Sequence, residues 1–462
     1  MHFEVGAKIY VNQATDALVE WCKDNLVLSN PDYHKKQRMG LWTGNTPEHI
    51  YLYERDGDNV VIPFGCVNRL MGQFADYPFY SRIIGQESAN YWSDIRLYPY
   101  QESAVKAALR KKNGVIVMPC GAGKTQTALE IIATLKKKTL WLTHTQDLLN
   151  QSMNRAKSVL SCPMGSYGTI TGGKVNIGTG ITFATVQTMS KIDIAQYKDT
   201  WDVVIVDECH KAVGSPTKVM QFYKVLSNLS CRYKFGVTAT PKRADGLEKS
   251  MFALLGDIIY EVSREEVADT TCEVRVEAIQ TGYMPNLDIA LSGDGTINYA
   301  GLVEDMIHNA ERFKVVTDWL NYERDFAPCP TLVLANRVEY LERLNEAFIG
   351  RSICLSSMGN SKAAKTMRKE ALQKLNDGEL DCVFATYQLA KEGLDVPNLR
   401  YVVFATPEKD STTIQQASGR VGRKSEGKEY GTIIDFIDNF GMYKGWAKKR
   451  ESIYKKLGYA II

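Results

Sequence analysis

The segment Met118–Thr125, which reads Met-Pro-Cys-Gly-Ala-Gly-Lys-Thr, constrains the fold of the chain more than any other stretch. It follows the apolar run 114–118 and precedes residues 126–135, in which apolar side chains recur at helical spacing. This order predicts a strand, a glycine turn and a helix. Met118 occupies the position at which phosphate-binding loops usually begin with glycine, so the sequence departs there from the common pattern.

The turn has the chemistry of a phosphate site. Gly121, Ala122 and Gly123 would point backbone N–H groups inward, and the helix that follows adds the positive end of its dipole. Lys124 would reach the outer phosphates, and the hydroxyl of Thr125 would hold Mg²⁺. The segment therefore predicts a nucleotide-binding loop, and the alternative is a glycine-rich turn that binds nothing.

Length and composition are those of an ordinary globular protein. The 462 residues predict about three domains. Hydrophobic residues make up 44% and charged residues 24%, and no apolar run approaches the ~18 residues of a membrane span. The first residues lack the features of a secretory signal, so we expect a cytoplasmic protein.

Cysteine spacing and net charge limit the function classes. Ten cysteines without a Cys-x-x-Cys pair predict reduced core thiols rather than disulfides or a zinc site. The net charge of +3 is close to neutral, so any nucleic-acid surface must come from local clusters.

Residues 1–94 are rich in aromatic side chains and lack nucleotide-binding signatures. We expect a small α+β accessory domain with a helix over Ala14–Leu26 and a hairpin of 49–53 and 60–62 around an Asp-Gly turn. Eight Lys or Arg against twelve Asp or Glu argue against a broad phosphate-binding surface. The basic cluster His34–Arg38 could contact a nucleic-acid backbone while nearby aromatic rings stack on bases. A solvated turn on a hydrophobic domain is equally expected.

From about residue 95, short apolar strands alternate with helical segments, which is typical of a parallel α/β architecture. The predicted strands form two series, 114–118, 139–143, 181–184, 203–206 and 234–237, and then 273–279, 331–335, 352–357, 381–386, 401–405 and 432–437. The second series contains no loop of the Gly-Lys-Thr kind. We therefore expect one lobe to bind the phosphates and the other lobe to have a different task.

Two carboxylates follow the strand predicted at 203–206. Its four consecutive apolar residues indicate burial on both faces, and the carboxyl ends of such strands are where parallel sheets place ligand groups. Asp207 is suited to hold Mg²⁺ through water, and Glu208 is suited to polarise an attacking water. An Asp-Glu pair alone is a weak signal, but downstream of a phosphate loop it is a strong one.

With Asp-Glu-Cys-His at 207–210, the chain resembles a superfamily 2 helicase of the DEAD/DEAH-box kind. Further segments are similar to the motifs of this family, in the family's order, at 97–101, 142–151, 184–188, 238–241, 384–397 and 416–423. The resemblance implies ATP and Mg²⁺ as cofactors and adenine recognition by Gln101. It also implies that His210 connects the nucleotide site to Thr238 and Thr240, which couple it to bound nucleic acid.

The last two motifs are implied to act from the second lobe. Gly393 and Asp395 would contact the nucleotide, and Gln416, Arg420 and Arg423 belong to a Gln-x-x-Gly-Arg-x-Gly-Arg frame. By the resemblance, both arginines are arginine fingers, permanently charged forks that stabilise the transferring phosphoryl group. Because the resemblance places them on the lobe opposite the phosphate loop, hydrolysis would require the lobes to close.

Nucleic acid is implied to contact side chains at strand ends on both lobes. These are Thr145, Thr185, Gln187, Thr188, Asn336, Arg337 and Thr386. Hydroxyls at strand ends often serve only as local helix caps, so without the resemblance either role is open.

The similarity covers about residues 95–438, and its motifs are nearest to XPB-like and phage UvsW-like DNA helicases. The implied fold is two tandem RecA-like parallel-sheet lobes, at 95–265 and 266–438, after the accessory domain at 1–94. The implied function is ATP-dependent unwinding or branch migration of forked or four-way DNA in replication, recombination or repair. We expect a monomer, in the cytoplasm of a bacterial host cell if a phage encodes the chain.

Three alternatives share these motifs. They are a duplex DNA translocase that does not separate strands, an RNA helicase, and an ATP-gated clamp on nucleic acid.

Residues 439–462 combine six Lys or Arg with one acidic residue. We expect a basic helix packed on the second lobe through Trp446, Ile453, Tyr454 and Leu457. Its basic face would be solvated or, alternatively, would contact phosphates.

Overall fold

Runs of buried apolar residues organise the chain into two units. The computed structural model describes residues 1–119, 121–213, 216–239, 241, 247–267, 271–291, 296–324, 329–359, 361–391 and 396–462. The first unit comprises Met1–Pro119 and Gly123–Glu266, and the second consists mainly of Val267–Ile462. Within these ranges, no helix is both long enough and apolar enough to cross a lipid bilayer.

The N-terminal segment forms a small sheet with the strand order β5-β6-β2-β1-β7. Its elements are β1 (His2–Val5), β2 (Lys8–Asn12), α1 (Asp16–Leu26), β3 (Val27–Ser29), α2 (Pro31–Arg38), β4 (His49–Tyr51), β5 (Glu54–Asp56), β6 (Asn59–Pro63), α3 (Val67–Gln73), β7 (Phe79–Ser81) and β8 (Trp92–Ser93). The predicted first helix is present. It begins at Asp16 because Thr15 caps it, with the Thr15 hydroxyl accepting a hydrogen bond from Leu18 N–H.

The hairpin predicted in this segment is wrong in its first arm. Its turn and second arm are present, because β5 pairs with β6 around Gly57, which adopts a φ of +56°. Residues 49–51 form β4, which pairs with β3, and Leu52 N–H donates to Leu26 O at 2.8 Å. This pairing places Ile50 and Leu52 in the core, and their burial favours the different partner.

An eight-stranded sheet with the order β13-β12-β14-β10-β15-β16-β9-β17 forms the centre of the first unit. Its elements are α4 (Pro99–Lys111), β9 (Asn113–Val117), α5 (Lys124–Leu135), β10 (Thr139–Thr143), α6 (Gln146–Val159), β11 (Leu160–Ser161), β12 (Tyr167–Thr171), β13 (Lys174–Asn176), β14 (Ile181–Thr185), α7 (Val186–Met189), β15 (Val203–Asp207), α8 (Pro216–Leu226), β16 (Tyr233–Thr238), α9 (Glu248–Leu255), β17 (Ile258–Glu261) and α10 (Arg264–Val267). In this sheet, β13 lies antiparallel at one edge. The other seven strands, β12, β14, β10, β15, β16, β9 and β17, run parallel to one another. β9, β10, β14 and β15 are buried along their whole length, as expected for a parallel sheet covered on both faces.

One continuous apolar core joins the N-terminal sheet to this parallel sheet. Lys234 of β16 lies within that core and is 0% exposed. Its Nζ donates to Leu226 O at 2.9 Å and to Ala7 O at 3.4 Å, and lies 4.5 Å from the centre of the Phe64 ring. Burial lowers the pKa of Lys234 to about 8. A buried cation thus connects the N-terminal sheet to β16.

The second unit contains a seven-stranded parallel sheet with the order β20-β21-β19-β22-β23-β18-β24. Its elements are β18 (Glu273–Gln280), α11 (Leu287–Ala290), α12 (Tyr299–His308), α13 (Ala310–Asp318), β19 (Thr331–Ala335), α14 (Val338–Ala347), β20 (Ser352–Cys354), α15 (Lys362–Asn376), β21 (Cys382–Thr386), α16 (Tyr387–Lys391), β22 (Tyr401–Phe404), α17 (Ser411–Val421), β23 (Tyr430–Ile437), α18 (Gly441–Lys456) and β24 (Ala460–Ile461). The chain therefore has two tandem RecA-like α/β sheets preceded by a small N-terminal sheet.

Two buried arginines attach helices to the second sheet. Arg312 of α13 lies 2.8 Å from Asp438, and both side chains are 0% exposed. Arg450 of α18 lies 2.8 Å from Asp435 of β23. The C-terminal helix is thus present, but its basic residues are not all on a solvated face, because Arg450 faces the core. After this helix, β24 extends the sheet by pairing with β18.

Candidate nucleotide-binding and nucleic-acid-binding site

The carboxyl ends of β9, β15 and β16 meet at one edge of the first parallel sheet, because these strands are parallel neighbours. Lys124 begins α5 after β9, Asp207 ends β15 and Thr238 ends β16. Lys124 Nζ lies 3.9 Å from Glu208 Oε1. The sheet thus brings together the lysine and the two carboxylates that the sequence predicts for phosphate transfer.

The glycines of the phosphate loop, on either side of Ala122, adopt backbone conformations that other residues rarely adopt. The φ angle is +86° at Gly121 and +78° at Gly123. A Cβ added at Gly123 would lie 2.3 Å from Nε2 of Gln101, so a larger residue there would displace the Gln101 side chain. Gln101 is 1% exposed, and its Oε1 accepts a hydrogen bond from Tyr98 N–H at 3.0 Å. The side chain predicted to read adenine is therefore held beside the loop.

Asp207 is buried, and burial raises its pKa to about 6. The neighbouring Glu208 carboxylate adds to this rise, whereas Lys124 opposes it. The hydroxyl of Ser152 also opposes it by donating to Asp207 Oδ2 at 3.2 Å. Asp207 therefore keeps a carboxylate at the strand end whose charge is only partly compensated by the residues around it.

Glu208 has a backbone φ of +49°, in the left-handed region that residues with a side chain seldom adopt. Such a conformation costs of the order of 1 kcal/mol and is concentrated at functional sites. Its Oε2 lies 3.3 Å from Nδ1 of His210. The turn after β15 thus holds the Glu208 carboxylate between a lysine and a histidine.

His210 connects two neighbouring strand ends. Its Nδ1 lies 2.7 Å from the hydroxyl of Thr238, and both residues are buried. The predicted contact between the Asp-Glu-Cys-His segment and the 238–241 motif is therefore present, while its role in coupling stays a prediction. Thr240, the second residue predicted for this role, lies outside the described residues.

The residues of this edge fit a nucleotide with Mg²⁺. Thr125 in the first turn of α5 and Asp207 offer oxygen ligands, which Mg²⁺ prefers. The left-handed glycines and the start of a twelve-residue helix fit a phosphate, and Lys124 adds a positive charge. Gly393 and Asp395, also predicted to contact the nucleotide, lie outside the described residues.

The strand-end residues predicted to contact nucleic acid in the first unit all have local partners. Thr145 caps α6 by accepting from Leu148 N–H, and Thr185 caps α7 by accepting from Thr188 N–H. The hydroxyls of Thr185 and Thr188 lie 2.9 Å apart. Gln187 Nε2 lies 3.3 Å from His144 Nδ1. These contacts explain the local structure, and a second role in nucleic-acid binding stays a prediction.

The corresponding residues of the second unit lie at the carboxyl ends of β19 and β21. Asn336 N–H donates to the Thr406 hydroxyl at 3.0 Å, and its side chain donates to Pro407 O at 3.2 Å. Arg337 occupies the position before α14. The hydroxyl of Thr386 accepts a hydrogen bond from Leu389 N–H at 3.3 Å. The sheet places these three residues at one edge, as it does for their counterparts in the first unit.

The helix α17 contains Gln416 and Arg420, and Arg423 follows it. Arg420 donates through Nη2 to Ala390 O. Within the described chain, the side-chain oxygen Oε1 of Gln416 is buried and accepts no hydrogen bond. The backbone of Arg423 is held by Lys428, whose Nζ donates to Arg423 O at 2.8 Å.

Two residues of these sites were not predicted from the sequence. Ser152 lies on the buried face of α6 together with Leu149 and Ala156. A polar residue among the apolar positions of this helix was the sequence signal that could have identified it. Lys428 is 6% exposed, and burial lowers its pKa to about 8. Its position in a charged stretch of sequence gave no signal of burial.

Comparisons with known proteins agree with this arrangement. Residues 94–243 match the family model "Type III restriction enzyme, res subunit", and residues 313–425 match the model "Helicase conserved C-terminal domain". These two ranges contain the phosphate loop, the Asp-Glu-Cys-His segment and the arginine motif.

Curated relatives match over most of the chain. A "Putative ATP-dependent RNA helicase" of Acanthamoeba polyphaga mimivirus is 26% identical over 374 residues, which are 79% of this chain and 69% of that protein. The "DNA 3'-5' translocase XPB2" of Sulfurisphaera tokodaii is 26% identical over 370 residues, which are 72% of this chain and 80% of that protein.

Among solved structures, the DNA-bound Type ISP restriction-modification enzyme LlaBIII matches with a TM-score of 0.57 at 19% identity. The match covers 79% of this chain and 30% of that chain. This likeness supports the two-sheet fold.

Both helicase domains are present, the residues of an ATP site meet at one sheet edge, and XPB-type proteins are among the relatives. The chain therefore belongs to the superfamily 2 helicases, enzymes that use ATP to act on nucleic acid.

Proposed function

We propose that this helicase couples ATP hydrolysis to movement along DNA and to unwinding or branch migration of forked or four-way DNA. It would act as a monomer in replication, recombination or repair. The observation that supports the proposal most is the meeting of Lys124, Asp207 and Glu208 at one sheet edge, with His210 hydrogen-bonded to Thr238. This arrangement supplies both a hydrolytic site and a connection from it to the next strand.

In the proposed mechanism, the phosphate loop and Lys124 would bind the nucleotide phosphates, and Thr125 and Asp207 would hold Mg²⁺. Bound Mg²⁺ would neutralise charge on the phosphate oxygens. Glu208 accepts a proton from the attacking water, and the neighbouring Lys124 and His210 hold its carboxylate in place. Arg420 and Arg423 act as arginine fingers, an assignment that rests on their motif.

Coupling would pass through His210. Because His210 Nδ1 is close to both the Thr238 hydroxyl and the Glu208 carboxylate, a shift of the segment after β16 changes the surroundings of Glu208. Residues at the neighbouring strand ends, among them Thr145 and Thr185, are the proposed nucleic-acid contacts. Nucleic-acid binding can thereby alter the hydrolytic carboxylate.

An RNA helicase is the second candidate, because one relative is named an ATP-dependent RNA helicase. ATPase stimulation by single-stranded DNA, duplex DNA, a four-way junction and RNA, compared at one salt concentration, separates the two candidates. We expect the strongest stimulation by a branched or single-stranded DNA. Stimulation by RNA alone would overturn the DNA proposal.

Strand separation needs its own assay. A strand-displacement assay on forked DNA beside a triplex-displacement assay distinguishes a helicase from a duplex translocase. Displacement of the triplex strand without separation of the fork would overturn the unwinding part of the proposal. Many ATP turnovers per binding event would exclude an ATP-gated clamp.

A further inference from the structure

The loop after α2 in the N-terminal segment presents large apolar side chains to solvent. Met39 is 61% exposed, Leu41 is 53% exposed and Trp42 is 86% exposed. Apolar side chains that cluster on a surface often mark a binding site, and an indole offers the largest stacking face of any side chain.

This loop has a defined backbone. Leu41 N–H donates to Lys36 O at 2.9 Å, and Thr46 N–H donates to Thr43 O at 2.9 Å. Lys36 Nζ donates to the Thr46 hydroxyl at 2.7 Å, which ties the end of the loop back to α2. Trp42 therefore projects from a closed and hydrogen-bonded loop.

The indole of Trp42 packs against a glycine. Gly44 adopts a φ of +50°, and a Cβ added there would lie 2.8 Å from Cζ3 of the Trp42 ring. The missing side chain allows the ring to lie against the backbone while most of its surface faces solvent. Since one side of the ring is supported, little rotamer freedom is lost when a flat partner stacks on the other side.

The helix that precedes this loop ends in positively charged residues. The helix α2 has no buried residue, and its last turn contains Lys35, Lys36 and Arg38, of which Lys35 and Arg38 are exposed. Within residues 31–48, the acidic residues are Asp32, in the first turn of the helix, and Glu48, beyond the loop, and both are exposed. The cations thus stand at the end of α2 from which the Trp42 loop begins.

We propose that Trp42 is a stacking platform for an unpaired base of single-stranded DNA, with Lys35 and Arg38 at the adjoining phosphates. The proposal rests on the proposed function, because it assumes that DNA is the substrate. A single strand is the fitting occupant, since its bases expose faces that a duplex covers by base stacking. Aromatic platforms beside cations bind such strands with little sequence preference.

The test compares binding of a short fluorescent oligothymidylate with binding of a blunt duplex, measured by anisotropy at one salt concentration. Trp42→Ala should weaken single-strand binding about 5- to 100-fold and leave duplex binding nearly unchanged. Trp42→Phe should keep most of the affinity. The matched control is Trp92→Ala, which removes a second exposed indole, 58% exposed, from the same segment and should have no effect.

The salt dependence of DNA binding separates the contribution of the charges from that of base stacking. In Lys35→Gln/Arg38→Gln, the slope of log affinity against log salt should become shallower by about 0.7 for each lost phosphate contact. Trp42→Ala should lower affinity without changing this slope. Lys23→Gln, at another exposed lysine of the segment, is the control.

The outcomes distinguish this proposal from the proposed function. If the wild-type protein binds DNA but Trp42→Ala binds the single strand equally well, or weakens single strand and duplex alike, only the stacking proposal is overturned. If the wild type binds no DNA, both are overturned. A Trp42-dependent preference for oligouridylate over oligothymidylate would overturn the DNA assignment. Equal thermal midpoints of wild type and Trp42→Ala establish that folding is intact.

Discussion

Buried charges are compensated differently in the two units. In the second unit, Arg312 and Asp438 form a pair with both side chains fully buried. Although burial opposes the charge of Arg312, Asp438 raises its pKa above the ordinary value. In the first unit, burial shifts the pKa of Asp207 up to about 6 and the pKa of Lys234 down to about 8. Burial thus decides the direction of the pKa shift at Asp207 and Lys234, whereas at Arg312 the neighbouring carboxylate outweighs burial.

The difference shows what a carboxylate at the end of a parallel strand can do. Asp207 ends β15, and Asp438 follows β23 by one residue, so the same sheet geometry places both near a carboxyl edge. Asp438 accepts from Arg312 and from the Thr281 hydroxyl, which uses its oxygens inside the protein. Asp207 has a weaker set of partners and so keeps a charge that a bound cation would stabilise. The neighbouring residues, and not the position at a strand end, decide whether such a carboxylate stabilises the fold or is available to a bound cation.

The largest expected effect is on catalysis in the first unit. Glu208→Gln should lower nucleic-acid-stimulated ATPase activity about 10²- to 10⁴-fold, because the amide cannot accept the proton of the attacking water. Lys124→Ala should cause a comparable loss. Steady-state ATPase assays with a thermal melt of each variant measure this. Glu102→Gln, at an exposed glutamate of α4, is the control, and near wild-type turnover in Glu208→Gln would refute the assignment.

The largest expected effect on stability is in the second unit. Asp438→Asn leaves Arg312 buried without a carboxylate and should lower the free energy of unfolding by about 3–5 kcal/mol. The matched control is Asp381→Asn, which breaks a pair with the exposed Arg351 and should cost about 1 kcal/mol or less. Denaturant titration of both variants measures the difference. Equal losses would contradict the view that the buried pair holds the second sheet to α13.

The sequence predicted the two parallel sheets well because most of their strands are continuous apolar runs. The strands at Thr139–Thr143 and Thr331–Ala335 were predicted with the bounds that the structure has. It missed β12, which reads Tyr-Gly-Thr-Ile-Thr and has no continuous apolar run, and β17, whose short Ile-Ile-Tyr run is only half-buried. The first arm of the N-terminal hairpin was predicted wrongly because β4 pairs with the earlier strand β3 and not with the strand that follows the turn.

The candidate site was predictable where neighbouring residues form a motif and not where distant residues meet. Lys124, Asp207 and Glu208 were identified from local motifs. The contact between Ser152 and Asp207 joins residues 55 positions apart. The contact of Lys234 with Ala7 joins residues 227 positions apart. No local pattern specifies such contacts, because they depend on how the complete chain folds.

Substitution of Lys234 should change the free energy of unfolding less than Asp438→Asn does, and in the opposite direction. The pKa of Lys234 is about 8 in the folded protein, and the ordinary pKa of lysine is 10.5. Between these two pH values, the unfolded chain keeps a proton on this lysine that the folded protein has lost. Lys234 therefore destabilises the fold most below pH 8, and this penalty disappears as the pH rises. Lys234→Met should raise the free energy of unfolding by about 1–3 kcal/mol at neutral pH.

The pH dependence distinguishes this cause from simple repacking. The advantage of Lys234→Met over wild type should shrink as the pH increases from 8 to 10, as measured by denaturant titration at each pH. A constant difference would mean that the change in packing, and not the buried charge, is responsible. A loss of stability at neutral pH would mean that the hydrogen bonds to Leu226 O and Ala7 O outweigh the burial cost.

The smallest effect is expected at Lys428, whose buried ammonium in the second unit bonds carbonyls rather than a carboxylate. It donates to Arg423 O at 2.8 Å and to Pro397 O at 3.4 Å, so it fixes the backbone beside a proposed arginine finger. Lys428→Met should lower kcat for ATP about 3- to 10-fold and leave KM nearly unchanged, because the finger is misplaced while nucleotide binding is kept. Lys428→Arg should restore part of the rate, whereas Lys456→Met, at an exposed lysine of α18, should have no effect. An unchanged kcat in Lys428→Met would show that this buried lysine, like Arg312, serves the fold alone.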